Sequence, residues 1–505
     1  MQVISETDLI DSVCDALQYI SYYHPPDYIK ALGDAYLCEE SPAAKDAIAQ
    51  ILTNSRMSAI GHRPICQDTG IVTVFVKWGQ GCTLASSRSL QNVIDEGVRR
   101  AYLNTSNPLR ASIVADPAFS RRNTRDNTPS VVHVEMVPGS RVEVTVAAKG
   151  GGSENKSKFK MLNPSDSIVD WVLETVPSMG AGWCPPGMLG IGIGGTAEKA
   201  MVMAKESLMA PIDMAQLKAQ GPTSDIENLR VELYGKINAL GIGAQGLGGL
   251  TTVLDVKILD WPTHAASKPV AIVPNCAATR HTHFTLDGSG PSFLPKPDLA
   301  SWPDISWAPD KRARRVNLNT LTVAEIKHWK AGDRLLLSGK LLTGRDAAHK
   351  RIKDILARGE PLPVSFKGRV IYYVGPVDPV GDEAVGPAGP TTATRMDSFT
   401  DMMLDLGLLA MIGKAERGLD TIASIKSHER VYLTAVGGAA YLVSQAIRSS
   451  RVVAFADLGM EAIYEFEVEN MPVTVALSAD GDNVHASGPE YWRQRMSQVL
   501  PFKGM

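Results

Sequence analysis

Cysteine is scarce in this sequence, and no two cysteines form a CxxC pair. The chain has six cysteines among 505 residues, and none follows residue 276. So few cysteines exclude a disulfide-stapled scaffold. The missing CxxC disfavours a zinc ribbon, a thioredoxin-type site and a compact ferredoxin-type cluster. Any metal site must therefore be assembled from segments that lie far apart in the sequence.

The sequence also lacks long apolar runs and an excess of one charge. No run approaches the roughly 20 apolar residues that a membrane span needs, and the N-terminal segment has neither the basic start nor the apolar centre of a secretory signal. The formal net charge is -3, with lysines and arginines scattered along the chain, so no nucleic-acid surface is indicated. We expect a cytoplasmic protein with no membrane and no nucleic-acid partner. A small anionic substrate is compatible with this composition.

One segment interrupts the regular patterns of the chain. Residues 288–310 are rich in Pro, Ser and Asp and show neither helical nor strand periodicity, which is typical of a linker or a long wrapping loop. We therefore predict two domains, residues 1–287 and 316–505, joined by a linker at 288–315. Helical and strand patterns occur on both sides, so the predicted fold class is mixed α/β (α+β).

Local signals predict where several helices and strands lie. Ser41 followed by Pro42 is typical of a helix start, and dense β-branched residues predict strands at 131–136 and 142–148. The glycine-rich run after Cys184, GMLGIGIGGTAEKA, is predicted to be a turn that feeds a helix. The N-terminal N–H groups of such a helix can hold an anion or a metal cluster.

Three cysteines lie in segments that differ from those of the others. Cys66 lies in GHRPICQDTG, Cys184 in GWCPPG and Cys276 in PNCAATRHTH, each bordered by Pro, Gly or polar residues. Such loops can present a thiolate, although three ordinary thiols near turns would give the same pattern. Cys14 and Cys38 are predicted to be buried core thiols, as free cysteines commonly are.

The motifs resemble, in their order, those of a known enzyme family. The N-terminal iron–sulfur domain of class I fumarate hydratases, and of the related tartrate dehydratases, is similar to the segments CQDTG, KGGGSENKSKF, GWCPPGMLGIGIGGTAEKA, GIGAQGLGG and PNCAATRH. The C-terminal domain of the family is similar to LLLSGKLLTGRDAAHKR, YYVGP, GPAGPTTATRMD and MIGKA. The resemblance covers about residues 50–480, and the fusion of both parts in one chain favours the fumarate hydratase type.

The resemblance implies a homodimeric hydro-lyase of the tricarboxylic acid cycle that interconverts fumarate and malate. It implies an N-terminal iron–sulfur domain, a C-terminal swivelling-type domain and an active site between them. The cofactor would be a 4Fe–4S cluster ligated by Cys66, Cys184 and Cys276. Because three thiolates leave one iron without a cysteine ligand, that iron can act as a Lewis acid toward the substrate hydroxyl.

The same resemblance implies residues for proton transfer and substrate binding. Thr391, in GPAGPTTATRMD, is implied as the base that removes a proton from the carbon beside the hydroxyl-bearing one. Asp68 and His264 are the implied partners that tune or relay protons. A dicarboxylate has two charges to neutralise, for which arginine offers bidentate geometry. The implied substrate-binding residues are Gln67, Arg110, Gly150 (through a backbone N–H), Arg345, Arg395 and Lys414.

Three alternatives stay open. Within the hydro-lyases, tartrate or mesaconate could be the preferred substrate, because the same cluster and cations would serve. An electron-transfer or redox-sensing iron–sulfur protein is a second alternative, although no fourth ligand motif supports it. A zinc-bearing or metal-free phosphate-binding protein is a third, but the glycine-rich runs match neither the Walker nor the Rossmann template.

Overall fold

The computed structural model describes residues 1–499. Its α-helices are α1 (Glu6–Tyr22), α2 (Pro26–Cys38), α3 (Pro42–Gly61), α4 (Leu90–Tyr102), α5 (Gly151–Glu154), α6 (Ile168–Ser178), α7 (Ala197–Ser207), α8 (Met214–Gln220), α9 (Asp225–Asn238), α10 (Val323–Ile326), α11 (Asp346–Ala357), α12 (Asp397–Asp405), α13 (Leu419–Ser427), α14 (Ala440–Ser444) and α15 (Val484–Val499). Its strands are β1 (Gln2–Ser5), β2 (Ile71–Gly79), β3 (Cys82–Ala85), β4 (Val131–Val137), β5 (Val142–Lys149), β6 (Lys158–Leu162), β7 (Gly187–Gly194), β8 (Val253–Trp261), β9 (Lys268–Asn275), β10 (His281–Leu286), β11 (Arg314–Asn317), β12 (Arg334–Thr343), β13 (Val370–Tyr372), β14 (Ala410–Gly413), β15 (Val431–Thr434), β16 (Ile447–Ala454) and β17 (Ile463–Leu477).

The first part of the chain builds two four-stranded sheets. One has the strand order β10–β5–β2–β4, and the other has the order β6–β9–β7–β8. In the first sheet β2 runs parallel to β4 and antiparallel to β5, so that Thr73 faces Val131 on one side and Ala147 on the other. The buried branched residues of β2 and β5 pack with those of α1 and α4 into one core.

The second part of the chain builds a sheet that closes on itself. The strands β12, β13, β14, β15 and β17 pair in that order, and the long β17 also pairs with β12. Because side chains of a strand alternate between two faces, Val370 and Tyr372 of β13 enter one core. Ile371 enters a second core together with residues of α11, α12 and α13. This part is therefore a small barrel with helices packed outside it.

The strands of the two parts do not mix. Within residues 1–499, strands up to β10 pair only with one another, and strands from β11 onward do the same. Helices and sheets occur in both parts, which confirms the predicted mixed α/β fold. In the same range no helix is both long and apolar enough to cross a membrane.

Residues 288–310 contain neither a strand nor an α-helix and wrap over α3. The indole Nε1 of Trp302 donates to the Oγ of Ser55 at 3.0 Å, and that of Trp307 donates to the Oδ1 of Asp46 at 3.0 Å. The indole of Trp302 is buried. The segment is therefore a wrapping loop anchored on the first part, which was one of the two predicted possibilities.

The last residues of the predicted linker belong to a strand. The strand β11 begins at Arg314, inside the predicted linker of residues 288–315, and pairs in parallel with β12. Val316 is buried in the barrel core while its neighbours are exposed. A single apolar residue at strand spacing within a charged run was too weak a signal to predict this edge strand.

Most of the glycine-rich run after Cys184 is a buried strand. The predicted turn is confined to its end, where Gly194 and Gly195 adopt positive φ angles and the predicted helix, α7, follows. Residues 187–194 form β7, between β9 and β8, and α7 then packs across it. A Cβ on Gly190 would overlap the carbonyl oxygen of Ala204, and one on Gly192 that of Ala200. The glycines therefore let the helix lie directly on the strand and do not form an anion-binding turn.

Other local predictions are confirmed. Pro42 is the first residue of α3, and the Oγ of Ser41 accepts the N–H of Ala44 at 3.4 Å. The strands predicted at 131–136 and 142–148 correspond to β4 and β5. Capping chemistry and β-branched density therefore predicted these elements to within a residue or two.

Candidate active site

Three loops bring Cys66, Cys184 and Cys276 together. Cys66 lies between α3 and β2, Cys184 lies between α6 and β7, and Cys276 directly follows β9. The backbone N–H of Ala277 donates to the carbonyl of Cys184 at 3.0 Å. Cys276 also packs against Cys66 and Ala278. The three thiols singled out in the sequence thus share one site.

Lys414 of the second part reaches into this group of thiols. It follows β14, and its Nζ lies 2.8 Å from the Sγ of Cys184. Burial alone would lower the pKa of Lys414, but Cys184 and then Cys66 outweigh it and raise the pKa above its usual value. Lys414 is therefore a half-buried ammonium group beside the thiols.

The cysteine site fits a cluster better than a single ion. Burial raises the pKa values of Cys66 and Cys184, so these thiols need a cation to ionise. A Cβ on Gly437 would overlap the Sγ of Cys184, so glycine keeps the space beside the thiol open. Within residues 1–499 no three His, Cys, Asp or Glu side chains are grouped closely enough to hold one metal ion. A cluster of several irons accepts sulfur ligands that lie farther apart.

Three residues around the site adopt the left-handed backbone conformation. The φ angles are 58° at Cys184, 56° at Gln245 and 65° at Ala415. Each such residue costs on the order of 1–3 kcal/mol and persists only where surrounding contacts hold it. Gln245 supplies such contacts, because its Nε2 donates to the carbonyl of Pro185 at 3.0 Å and its Oε1 accepts the N–H of Gly437 at 2.8 Å. The two parts of the chain therefore fix the Cys184 loop jointly.

Two buried arginines lie near the thiols with incompletely used donors. Arg110 pairs with Asp68 at 3.6 Å, and Arg345 pairs with Glu461 at 3.4 Å. Burial, and then repulsion by Arg345, lowers the pKa of Arg110 to about 10, so it stays charged at neutral pH. Within residues 1–499, the Nε of Arg110 and the Nε and Nη1 of Arg345 have no hydrogen-bond acceptor. Because such burial is costly, these donors indicate an anion-binding site.

Asp68 links the arginines to a glycine turn. Its Oδ2 accepts the N–H of Gly151 at 2.9 Å, and a Cβ on Gly150 would lie 3.2 Å from the same oxygen. Burial alone would raise the pKa of Asp68, but Arg110 and Arg280 outweigh it and lower the pKa. Asp68 is therefore an ionised carboxylate that accepts hydrogen bonds at neutral pH.

Gln67 and Thr391 lie where the two parts of the chain meet. The Nε2 of Gln67 donates to the carbonyl of Pro390 at 3.3 Å, and its Oε1 accepts the Sγ–H of Cys66 at 3.3 Å. The carbonyl of Thr391 accepts the backbone N–H of Lys414 at 3.1 Å, and Thr391 is buried. The structure thus brings both predicted residues to the boundary beside the thiols.

Two predicted residues lie outside this group. Arg395 is exposed, and its guanidinium pairs with Asp346, with an Nε–Oδ1 distance of 3.1 Å. His264 is exposed in the loop before β9, whereas Cys276 follows the other end of that strand. Since a strand rises roughly 3.3 Å per residue, the two ends of β9 lie about 23 Å apart. Within one chain, His264 does not reach the cysteines.

A cleft of about 980 Å³ opens beside Arg110. Both parts of the chain line it, with Arg125 on one side and Pro376 and Met460 on the other. Met460 directly precedes Glu461, the partner of Arg345. The cleft therefore offers a small molecule a route from the surface to Arg110.

The remaining thiols are unlike the three of the site. Cys14 is half-buried and packs against the core beneath the first sheet, as predicted. Cys38 is exposed, so the prediction of a buried thiol was wrong. Cys38 is the last residue of α2, whose buried face contains Ile29 and Leu32. It follows Leu32 by six positions, which places it on a different side of the helix.

Two family models match the chain one after the other. The model described as Fumarate hydratase (Fumerase) matches residues 10–285, and the model described as Fumarase C-terminus matches residues 288–488. The chain belongs to the class I fumarate hydratase family. The resemblance drawn from the motifs is thereby confirmed.

Several named relatives match most of the chain. The aerobic class I fumarate hydratase of Escherichia coli (strain K12) is 31% identical over 88% of this chain and 83% of its own length. Fumarate hydratase 2 of Leishmania major is 31% identical over 88% of this chain and 81% of its own length. A protein of Methanocaldococcus jannaschii, provisionally named as an L(+)-tartrate dehydratase alpha subunit, is 38% identical over 54% of this chain and 94% of its own length.

One residue of this class I fumarate hydratase family member was missed by sequence reasoning. Arg280 lies in the motif PNCAATRH, four residues after Cys276, and is only 3% exposed. Its Nη2 lies 3.7 Å from the position of a Cβ on Gly150. An arginine inside a cysteine motif was the available signal, but nothing in the sequence shows that its side chain is buried.

Proposed function

We propose that this chain is a fumarate hydratase that interconverts fumarate and L-malate with a 4Fe–4S cluster. One observation carries the proposal: three cysteines from distant segments meet, and two incompletely hydrogen-bonded guanidinium groups lie close by. Arg110 is near enough to Cys66 for the thiol to influence its pKa, and both Arg110 and Arg345 lie against Gly375. Thiolates suit iron and guanidinium groups suit carboxylates. Relatives that match most of the chain carry the name fumarate hydratase.

In this proposal Cys66, Cys184 and Cys276 hold the cluster. When bound, it supplies an iron without a thiolate ligand, which as a Lewis acid makes the hydroxyl of malate a better leaving group. The protein holds the three thiolates and keeps the space beside Cys184 free through Gly437. Lys414 adds a half-buried positive charge that offsets the charge of the thiolates.

The substrate carboxylates are assigned to the two buried arginines. Arg110 and Arg345 have N–H groups left over after their ion pairs, and guanidinium groups bind carboxylates in bidentate fashion. Gln67, Lys414 and the backbone N–H of Gly150 are further proposed donors to the substrate. Arg395 is left out, because Asp346 already pairs with it at the surface.

Proton transfer is assigned to Thr391. In dehydration its hydroxyl oxygen takes the proton from the carbon beside the hydroxyl-bearing one, and in hydration it returns that proton while water supplies the hydroxide. A neutral hydroxyl is a weak base, so this role needs a nearby positive charge that favours the deprotonated form. Lys414, whose backbone N–H donates to the carbonyl of Thr391, is the cation that we assign to this effect. Asp68 has a lowered pKa and is a weaker base than an ordinary carboxylate, so we assign it to orient Arg110.

We also propose a cytoplasmic homodimer in which His264 serves the partner's site. The edge strand β4 exposes Val131, Val134 and Met136, and Trp261 is exposed three residues before His264. Exposed apolar residues on sheet edges favour an interface that covers them. In such a dimer, His264 of one chain reaches the active site of the partner chain, although it does not reach the cysteines of its own.

Mixing two inactive variants tests this dimer. Cys276→Ala removes a cluster ligand but keeps His264, and His264→Asn does the reverse. If the site is shared, each hybrid dimer contains one intact site of two. After mixing under dissociating conditions about half of the dimers are hybrids, so up to about a quarter of the wild-type activity returns. Activity that stays at the level of the separate variants would contradict a shared site.

Tartrate is the second candidate substrate, because the Methanocaldococcus jannaschii relative shares 38% identity. That match covers only 54% of this chain, whereas the fumarate hydratases match 88%. Mesaconate differs from fumarate by one methyl group. A redox sensor would not need the buried arginines near its cluster, and a structural zinc site needs four ligands close around one ion.

A substrate panel tests the proposed function. The anaerobically reconstituted protein is assayed for kcat/KM with malate, fumarate, tartrate and mesaconate. We expect kcat/KM for malate and fumarate to be at least about tenfold higher than for tartrate and mesaconate. One methyl or hydroxyl group in a fitted pocket changes the binding free energy of the transition state by about 1–3 kcal/mol. Arg345→Met is expected to raise KM, while Arg358→Met, at an exposed surface pair, serves as the control. Turnover of tartrate alone would overturn the fumarate assignment.

A further inference from the structure

Arg280 is a buried arginine that the proposed chemistry does not use. It is 3% exposed, and within residues 1–499 its Nε and Nη1 have no hydrogen-bond acceptor. Leaving a buried polar group without a partner costs about 1–3 kcal/mol, and more for a charged one. An anion bound at these N–H groups would remove this cost. The unpaired donors of Arg280 therefore indicate a bound anion.

The nearest carboxylate does not satisfy Arg280. Asp68 lies close by, but its Oδ2 accepts the N–H of Gly151 at 2.9 Å and its Oδ1 accepts the N–H of Gly70 at 3.3 Å. Arg110 is the arginine that forms the ion pair with Asp68, at 3.6 Å. Asp68 therefore balances Arg280 only as a nearby charge and not as a hydrogen-bond partner.

The chain places Arg280 next to the cysteine site. The segment that carries it packs Cys276 and Ala278 against Cys66, and Arg280 follows two residues later. The carbonyl of Arg280 accepts the N–H of Ala148 at 3.1 Å, which fixes its backbone at the end of β5. Arg110 is among the residues that line the open cleft, whereas Arg280 is not. The guanidinium of Arg280 is thus carried by the segment that also carries Cys276.

Lys414, the other cation of the site, approaches a different cysteine. Its Nζ lies 2.8 Å from the Sγ of Cys184, whereas Arg280 belongs to the segment that packs Cys276 and Ala278 against Cys66. The two cations therefore come from different segments and lie beside different cysteines.

We propose that Arg280 is a cluster-positioning residue, whose free N–H groups donate to the anionic sulfur surface of the iron–sulfur cluster beside Cys66. This inference rests on the cluster of the proposed function. Hydrogen bonds to sulfur and nearby charge set the reduction potential of such clusters, and partners beyond the direct ligands influence metal affinity by about 10–100-fold. Arg280 accordingly holds the cluster in place and raises its potential.

Measurements on the cluster itself test this role without any turnover. Arg280→Gln and Arg280→Lys are reconstituted anaerobically, beside Arg358→Gln as a surface control. Iron and sulfide per chain, the rate of cluster loss to a chelator and the midpoint potential are measured. The affinity for succinate, a dicarboxylate that cannot be dehydrated, is measured by calorimetry. Circular dichroism of the metal-free proteins shows whether each variant folds.

Arg280→Gln is expected to lose its cluster about tenfold faster or more and to shift the midpoint potential downward. Arg280→Lys keeps the charge but loses the planar guanidinium. Its rate of cluster loss and its midpoint potential are therefore expected to lie between those of Arg280→Gln and of the wild type. Succinate affinity is expected to change little.

Two results would overturn the inference. If Arg280→Gln kept the potential and the rate of cluster loss of the wild type but bound succinate about tenfold more weakly, the guanidinium would bind substrate instead. If none of these quantities changed, Arg280 would be a packing residue. A wild-type protein that bound iron and sulfide yet turned over none of the dicarboxylates would refute the proposed function. The rate of cluster loss and the midpoint potential would still test the role of Arg280.

Discussion

The Nζ of Lys414 donates a hydrogen bond of 2.8 Å to the Sγ of Cys184, although the two residues belong to different parts of the chain. The contact joins the loop after β14 to the loop before β7. Cys184 is buried and Lys414 is half-buried. A cation on one part therefore lies against a thiol on the other, so this contact exists only when the two parts are packed together.

Replacing Lys414 is therefore expected to weaken the site rather than the fold. Lys414→Met removes the charge beside Cys184, and we expect a loss of about 10–100-fold in cluster affinity or in kcat/KM. Iron retained after gel filtration and initial rates with malate are the measurements. Lys30→Met, whose side chain is 77% exposed in a surface pair with Asp34, is the control. Equal iron retention in both variants would contradict the assigned role.

Gly437→Ala is expected to abolish cluster binding while the protein still folds. The new Cβ would overlap the Sγ of Cys184, so the thiol must move. Visible absorbance after reconstitution and circular dichroism measure the two effects separately. Gly235→Ala is a matched control, because a Cβ there meets nothing within 4 Å in α9, and alanine in a helix is expected to stabilise it by about 0.5–1 kcal/mol. A Gly437→Ala protein with a full cluster would show that the thiol needs less space than we infer.

Arg63 is expected to hold the two parts of the chain together. Its guanidinium forms a two-bonded pair with Glu383 at 2.9 Å and donates to the carbonyl of Asp378 at 2.8 Å and to Asn107 at 2.9 Å. Because Arg63 is buried, Arg63→Ala leaves Glu383 without its cationic partner, at a cost of about 3–5 kcal/mol of unfolding free energy.

The urea midpoint of the metal-free protein measures the effect of Arg63→Ala. Arg358→Ala removes an exposed pair with Glu360, whose side chains are 54% and 52% exposed, and is expected to change the free energy by about 0–1 kcal/mol. If the two variants had the same midpoint, the buried pair would not stabilise the contact between the parts.

Buried histidines are expected to make stability fall on mild acidification. Burial lowers the pKa of His24 to about 3 and that of His281 to about 4, whereas an unfolded histidine titrates near pH 6.5. As the pH falls below about 6.5, the unfolded state binds protons that the folded state does not. The free energy of unfolding therefore decreases by about 1.4 kcal/mol per pH unit for each such histidine, down to its folded-state pKa.

Urea midpoints between pH 7.5 and pH 4.5 measure this slope in the metal-free protein. His281→Leu is expected to flatten it by the share of one histidine, and His328→Leu, at an exposed position, is the control. A slope that is the same in His281→Leu and in the wild type would show that His281 takes up a proton in the folded state.

The sequence predicted the local elements, and the motifs whose cysteines meet, better than it predicted distances. Ser41 and Pro42 start α3 because capping and proline chemistry act within one turn. Cys66, Cys184 and Cys276 were found because each lies in a motif of its own. The strand β7 was mistaken for a turn, although the alternation of Gly and Ile at 190–194 has the period of a strand.

The remaining differences depend on contacts between distant segments. Arg395 lies in a motif but pairs with Asp346 at the surface, and His264 lies at the wrong end of β9 to reach the cysteines of its own chain. Arg280 went unnoticed for the opposite reason, since its burial arises only when the segment after β9 packs on Cys66. Charge and spacing in a sequence do not reveal which arginine becomes buried.

Malate dehydration by the anaerobically reconstituted protein tests the central claim most directly. The ultraviolet absorbance of the double bond of fumarate is followed for the wild type and for Cys66→Ala, Cys184→Ala and Cys276→Ala, with Cys38→Ala as the control at an exposed thiol. We predict turnover in the wild type and in Cys38→Ala, its loss on exposure to air, and none in the three site variants. A wild-type protein with a full complement of iron and sulfide but no turnover of malate or fumarate would contradict the account.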